Sequence, residues 1–287
     1  MNPAISHVSI IGLPGSGKTT FLAALWHMVR EEGAVTALKF HTMSQDNYEH
    51  LNALAKRWRK GNIQLRTQQG GMKKVVMRLK DTAGRSIEVT FPDVPGEEFS
   101  RMWEDREVDE ATAETLVAEG IVLLINGDRI QLPAWIIERM AVAKVAGLPY
   151  DESEVVDWSP GLAPTQVQVV ELLQMLMSDE LGVGPRRLAI LLSVWDRAEG
   201  EELAPEELLA TKLPMLDQYL RNGRDPWTWR VWGLSAQGGM YEDPDKGEQF
   251  DETARLRDLA RPSDRIKLVS GTDASTDITG PIAWLVG

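Results

Sequence analysis

The segment "HVSIIGLPGSGKTTFLAALWHMVREEG" constrains this chain more than any other. His7 to Ile11 is apolar and β-branched, which predicts a buried strand. Phe21, Leu22, Leu25, Trp26 and Val29 recur at helical spacing over Lys18 to Glu32, and Gly33 is a natural stop. Between them, "GLPGSGKT" (Gly12 to Thr19) matches G-x-x-x-x-G-K-[ST] in the strand–loop–helix context that this pattern requires. Glycines there let backbone N–H groups turn inward around phosphate oxygens, and the helix N-terminus adds its positive dipole end. Pro14, Gly15, Ser16 and Gly17 are the expected cradle. Lys18 is expected to reach the β- and γ-phosphates, the Thr19 hydroxyl to hold Mg²⁺, and Thr20 to donate to the α-phosphate. A Gly-rich turn matching by chance is the competing explanation, and the flanking strand and helix both speak against it.

A nucleotide switch also needs an Asp-x-x-Gly at the end of a strand, and "LKDTAGRSIEVTFPDVPGEEF" contains two. Val75 to Leu79 and Ile87 to Phe91 both read as strands, and "DTAGR" (Asp81 to Arg85) between them is rich in turn formers. The simplest structure is a β-hairpin with Asp81 at its tip, a full strand length from the end where Asp93 emerges. After Asp93 the chain becomes helix-like, and then an apolar strand follows at Ile121 to Asn126. Strand, Asp-x-x-Gly, helix, strand is the order a switch needs. The reading is therefore that "DVPG" (Asp93 to Gly96) is the switch, with Asp93 on the metal side, and that "DTAG" is a turn despite its spelling.

The start of one strand in an antiparallel pair lies beside the end of the other. A residue shortly before Val75 is thus expected near Asp93, and "WRKGNIQLRTQQGG" supplies Thr67. Thr67 is the candidate threonine for sensing the γ-phosphate and Mg²⁺; a solvated loop threonine is the alternative.

Two later segments bear on the base. "RRLAILLSVWDRAEG" carries a strand over Leu188 to Leu192 that runs into Ser193-Val194-Trp195-Asp196, and "WTWRVWGLSAQGG" carries a strand ending in Ser235-Ala236-Gln237. With "GLPGSGKT", "DVPGE", "SVWD" and "SAQ" in this order, the chain resembles the translation-factor-like (TRAFAC) class of P-loop GTPases. It is most similar to the bacterial double-GTPase families associated with conflict systems, a narrower likeness carried by "WRKGNIQLRT" and "DITGPIAWLVG". The resemblance implies an α/β, small-GTPase-like P-loop three-layer sandwich. Its sheet would be mostly parallel with one antiparallel hairpin strand, plus helical and loop insertions. It implies that Asp196 accepts from the guanine ring and amino N–H groups, while Ser235 and Ala236 approach the base from the other side. An Asp capping the next helix is the alternative for Asp196. Two positions depart from the class pattern: Val194 and Gln237 stand where lysines are usual. The resemblance aligns Glu97 with the position that often orients the attacking water; an ordinary surface helix residue is the alternative. No arginine finger is identifiable, and Arg66, Arg85 and Arg101 are close enough in sequence to be considered.

The rest of the chain frames this expectation. Its 287 residues, 43% apolar and 26% charged, suit one nucleotide domain over 1–287, with insertions at about 131–164 and 239–265. A formal net charge of −12 argues against a broad nucleic-acid surface, which needs clustered Lys and Arg. Cys is absent, so disulfides and thiolate chemistry are excluded. No apolar run reaches the ~20 residues of a membrane span, and "MNPAISHVSIIG" does not read as a signal peptide, so a cytoplasmic protein is expected. Ten Trp residues read as core, and four scattered His show no metal-ligand spacing. The expected ligands are GTP/GDP with Mg²⁺, and the expected partner is a protein effector or a second GTPase. The expected activity is slow, switch-type hydrolysis. An ATP-dependent phosphotransferase and a non-hydrolysing nucleotide-bound scaffold are the alternatives.

Overall fold

Strand β1 (Ser6–Gly12) is buried from Val8 onward, and β5 (Gly120–Asn126) is buried along all but its last residue. Near-continuous burial means that both faces of these strands are covered, as in the centre of a parallel sheet. The computed structural model describes residues 6–64, 74–91, 101–108, 110–133, 145, 157–181, 183–198, 203–223 and 225–287. It bears this out with a nine-stranded sheet in the order β2-β3-β4-β1-β5-β6-β7-β8-β9. The remaining strands are β2 (Leu38–Met43), β3 (Val75–Asp81), β4 (Ser86–Phe91), β6 (Arg186–Ser193), β7 (Trp227–Ser235), β8 (Lys267–Ser270) and β9 (Asp273–Ser275). Strands β4, β1, β5, β6 and β7 are mutually parallel.

The fold is the expected α/β sandwich, with one difference. Two strands rather than one run against the majority: β3, in the hairpin with β4, and β8, which pairs antiparallel with β7. Four residues that lack clean alternation, "KLVS", gave no period to read in β8.

Helix α1 (Lys18–Met28) buries Phe21, Leu22, Ala23, Ala24, Leu25, Trp26 and Met28, so it is covered on nearly every side. The extra cover is α2 (Tyr48–Arg59), whose Leu51, Ala55 and Trp58 face inward at helical spacing. The Trp26 indole donates to Asn52 Oδ1 at 3.0 Å across that junction. These two helices share one apolar cluster with Ile282 and Leu285 of the C-terminal helix, α9 (Gly280–Val286). On the opposite face, α4 (Thr165–Leu176), α6 (Pro205–Lys212) and α7 (Pro214–Arg221) pack against Ile121, Leu123, Leu188 and Ile190. Helix α3 (Glu110–Leu116) adds Leu116 to that side.

The "DTAG" copy lies at the hairpin turn expected of it, and the "DVPG" copy lies outside the described residues. Ser6 pairs with Ile87 and Ser9 with Thr90, so β4 and β1 end at the same edge of the sheet. Asp81 therefore lies at the edge remote from Gly12. There it forms a closed turn: its carboxylate accepts the Arg85 N–H at 2.8 Å and Arg85 Nε at 2.6 Å, and its carbonyl accepts from Gly84 N at 3.1 Å. Arg85 also donates to the Val286 carbonyl at 3.3 Å, at the C-terminal end of α9. "DTAGR" ties the hairpin to the last helix.

Candidate functional site

The C-terminal ends of the five parallel strands define one edge of the sheet. Gly12 pairs with Leu124, Asn126 with Ser193, and Ser193 with Leu234. The loop after β1 and the turns after β5, β6 and β7 thus open side by side, the crevice where open α/β sheets take ligands.

In the loop after β1, Gly17 has φ 90, and an added Cβ would lie 3.3 Å from Ser193 Oγ, so only glycine fits without strain. The loop is pinned by two side chains from neighbouring strands. Asn126 Nδ2 donates to the Gly15 carbonyl at 3.0 Å, and Ser193 Oγ donates to the Ser16 carbonyl at 2.8 Å. Holding the carbonyls outward leaves the loop's N–H groups to face a ligand. Sequence reasoning missed Asn126 as a loop-holding residue. Its only signal was an Asn closing an otherwise apolar strand.

Lys18 donates Nζ to the Gly12 and Leu13 carbonyls. Burial pulls its pKa down to about 8 from the ordinary lysine value. Two neutral carbonyls give a buried ammonium little compensation, whereas a polyphosphate would offer full negative charge. Thr19 and Thr20, half-buried, follow in the first turn of α1. The oxygen-only donor chemistry of Thr19 fits Mg²⁺, a hard cation that keeps several waters. Among the described residues, no group of three or more His, Asp or Glu forms an alternative metal site. Thr67, Asp93, Gly96 and Glu97 lie outside the described residues. Among the described residues, Val75, at the start of β3, pairs with Phe91, at the end of β4.

Beyond β6, Val194 adopts φ 59, a left-handed conformation that costs a β-branched residue roughly 1–2 kcal/mol. Its carbonyl accepts from Arg197 N at 3.1 Å and from Ala198 N at 3.4 Å, which starts the short helix α5 (Trp195–Ala198). Trp195 is driven under β7, where a side chain at Gly233 would collide with its ring. Asp196, the next residue, reaches the end of β7. There Ser235 Oγ donates to Asp196 Oδ1 at 2.6 Å and accepts from Gly238 N at 3.1 Å. Asp196, Ser235 and Ala236 are thus gathered at the same sheet edge as the β1 loop.

Of the arginines considered as fingers, Arg85 is excluded by its place at the remote hairpin tip. Arg66 lies outside the described residues, and Arg101 is exposed on the helical turn at 101–104.

A family model, Double-GTPase 1, matches residues 9–285. The chain belongs to the Double-GTPase 1 family. This places it among P-loop GTPases, as its motifs implied, and the match runs through all the elements described above. No curated protein matches the chain. Among solved structures, the chain is similar to a GTP-binding protein from the archaeon Sulfolobus solfataricus in complex with GDP (12% identity, TM-score 0.35, 88% of this chain and 52% of that one). It is also similar to the Saccharomyces cerevisiae Ski7 GTPase-like domain bound to GDP and inorganic phosphate (14%, TM-score 0.43, 82% and 44%). A third is the signal recognition particle receptor SRb-GTP/SRX complex from Chaetomium thermophilum (14%, TM-score 0.41, 85% and 96%). The chain spans about half the length of the first two. Among the described residues, no helix is long and apolar enough to cross a membrane.

Proposed function

We propose that this Double-GTPase 1 chain binds GTP with Mg²⁺ and hydrolyses it slowly, as a switch that controls a partner protein. The observation that carries the reading is the convergence at one sheet edge of the phosphate loop and a Ser235-braced Asp196. Pro14 to Thr20 take the phosphates. Lys18 leaves its carbonyl partners for the β- and γ-oxygens.

Asp196 accepts two guanine N–H groups, with Ser235 and Ala236 beside the base. Thr19, Thr67 and Asp93 are the oxygen ligands for Mg²⁺, which when bound offsets charge on the β- and γ-phosphates. Gly96 completes the "DVPG" switch motif, and Glu97 orients water. The switch reading is that the segments carrying Thr67 and "DVPG" order around the γ-phosphate and relax after hydrolysis.

Residues 131–164 and 239–265 are insertions on a single domain, and they are the places to build partner contacts. The partner in this reading is a protein effector or a second GTPase, in a bacterial conflict system, as the sequence resemblance implies. Slow turnover follows from the lack of an assigned arginine finger, which is worth about 10³ to 10⁵ in rate.

Phosphate release from GTP under single-turnover conditions tests the reading. A slow Mg²⁺-dependent burst of one phosphate per chain supports it. No release in the presence of tightly bound GTP would leave a scaffold in place of a switch.

A further inference from the structure

The loop after β7 carries Ser235 and Ala236, and its conformation decides where their polar groups face. Gln237 Nε2 donates to the Gly239 carbonyl at 2.8 Å, closing the loop on itself. Its underside rests on a separate structure. Trp58, in the last turn of α2 and 0% exposed, donates Nε1 to the Ala236 carbonyl at 2.8 Å. Gly238 has φ 76, and a Cβ there would lie 2.5 Å from the Arg265 carbonyl, so the loop backbone sits directly on residue 265.

Arg265 in turn fixes Trp58. Its guanidinium lies 4.7 Å from the Trp58 ring centroid. It donates to the Trp58 carbonyl at 2.9 Å, the Arg59 carbonyl at 3.3 Å, the Leu256 carbonyl at 2.7 Å and the Tyr241 hydroxyl at 3.1 Å. A cation over the last carbonyls of α2 and of α8 (Asp251–Arg257) is favoured by both helix dipoles. On its other side Trp58 packs against His27 of α1, with ring centroids 5.1 Å apart. The indole has one rigid place, and its only polar atom is spent on Ala236.

We propose that Trp58, held by Arg265, is a positioning residue for base recognition. Its N–H locks the peptide between Ala236 and Gln237, and with it the direction in which the Ser235–Ala236 backbone faces Asp196. The inference rests on the guanine-binding reading above. It gives α2 and the 239–265 segment a shared role beyond covering the core: together they form a wall behind the base loop.

The test is calorimetry on the full chain with Mg²⁺, comparing GTP, ATP and inorganic tripolyphosphate. Trp58→Phe keeps an aromatic ring in the slot and removes the donor. The expected result is about a tenfold loss of GTP affinity, 1.4 kcal/mol, with tripolyphosphate affinity unchanged within twofold and a smaller GTP-over-ATP ratio. Arg265→Lys, which keeps the charge but not the planar fork, should move GTP affinity in the same direction. Retained tripolyphosphate binding shows that the phosphate loop is still folded. Equal losses for GTP and tripolyphosphate, or GTP affinity unchanged in Trp58→Phe, would overturn the inference. A wild type that fails to prefer GTP over ATP contradicts the underlying reading and takes this inference with it.

Discussion

Ser235 donates to Asp196 across the ends of β7 and β6 at 2.6 Å, and the same hydroxyl accepts the Gly238 N–H. One side chain thus joins the turn after β6 to the loop after β7. Ser235→Ala removes both bonds, so GTP affinity is expected to drop by about tenfold, 1.4 kcal/mol, while tripolyphosphate affinity holds. Equal affinity for GTP in the variant and the wild type, by calorimetry, would detach Ser235 from base recognition.

Lys18→Ala and Thr19→Ala are each expected to weaken nucleotide binding more than tenfold without unfolding the protein. Neither side chain belongs to the apolar clusters that hold α1. Circular dichroism together with nucleotide titration checks this. Wild-type affinity in either variant would remove the basis of the phosphate-site assignment.

Asp81→Ala should leave Mg²⁺-dependent nucleotide binding within twofold, because the Asp81 carboxylate serves only the Arg85 turn at the remote edge. Asp93→Ala should abolish the Mg²⁺ dependence. The two titrations side by side decide between the copies, and exchanged phenotypes would mean that the wrong one had been assigned to the switch.

Val194→Gly replaces a β-branched residue at φ 59 with the residue that adopts this backbone freely. Thermal unfolding should be raised or unchanged despite the loss of a side chain, because the relieved strain of about 1 kcal/mol offsets the greater entropy of the unfolded chain. A drop in Tm of several degrees would show that the Val194 side chain contributes more by packing than its backbone costs.

The acid limb of stability should carry a contribution from His27. Burial lowers its pKa below the ordinary histidine value of 6.5, against the raising effect of Glu31. Arg59 and Arg265 nearby add to the lowering. A depressed folded pKa means that the unfolded chain binds the proton first. Stability is therefore complete above about pH 6.5 and falls as the pH drops through the folded value. His27→Gln should flatten the pH dependence of urea unfolding in that window; an unchanged slope would contradict the assignment.

The phosphate loop, the order of the strands around it and the hairpin turn at Asp81 were all legible in the sequence. Each is a local pattern, or follows from one strand's length. Asn126, Trp58 and Arg265 were not legible. Trp58 reads as one apolar residue of an amphipathic helix, and nothing local pairs it with a carbonyl at residue 236. Arg265 looks like a surface charge in a polar stretch, yet it is 5% exposed because four oxygens from distant segments converge on it. Such roles depend on long-range contacts that neither spacing nor composition encodes.

In the proposed function, Asp196 reads guanine although no lysine stands beside it. The most direct measurement is competitive binding of GTP, ATP and xanthosine triphosphate to the wild type and to Asp196→Asn, in Mg²⁺. A carboxylate facing two N–H donors rejects adenine, which offers no matching pair, and an amide in its place donates to the oxygen that xanthine carries where guanine has its amino group. GTP is expected to outcompete ATP by at least about tenfold in the wild type, 1.4 kcal/mol, and Asp196→Asn to shift the preference to the xanthine nucleotide. Equal GTP and ATP affinities in the wild type, left unchanged by Asp196→Asn, would contradict that role for Asp196.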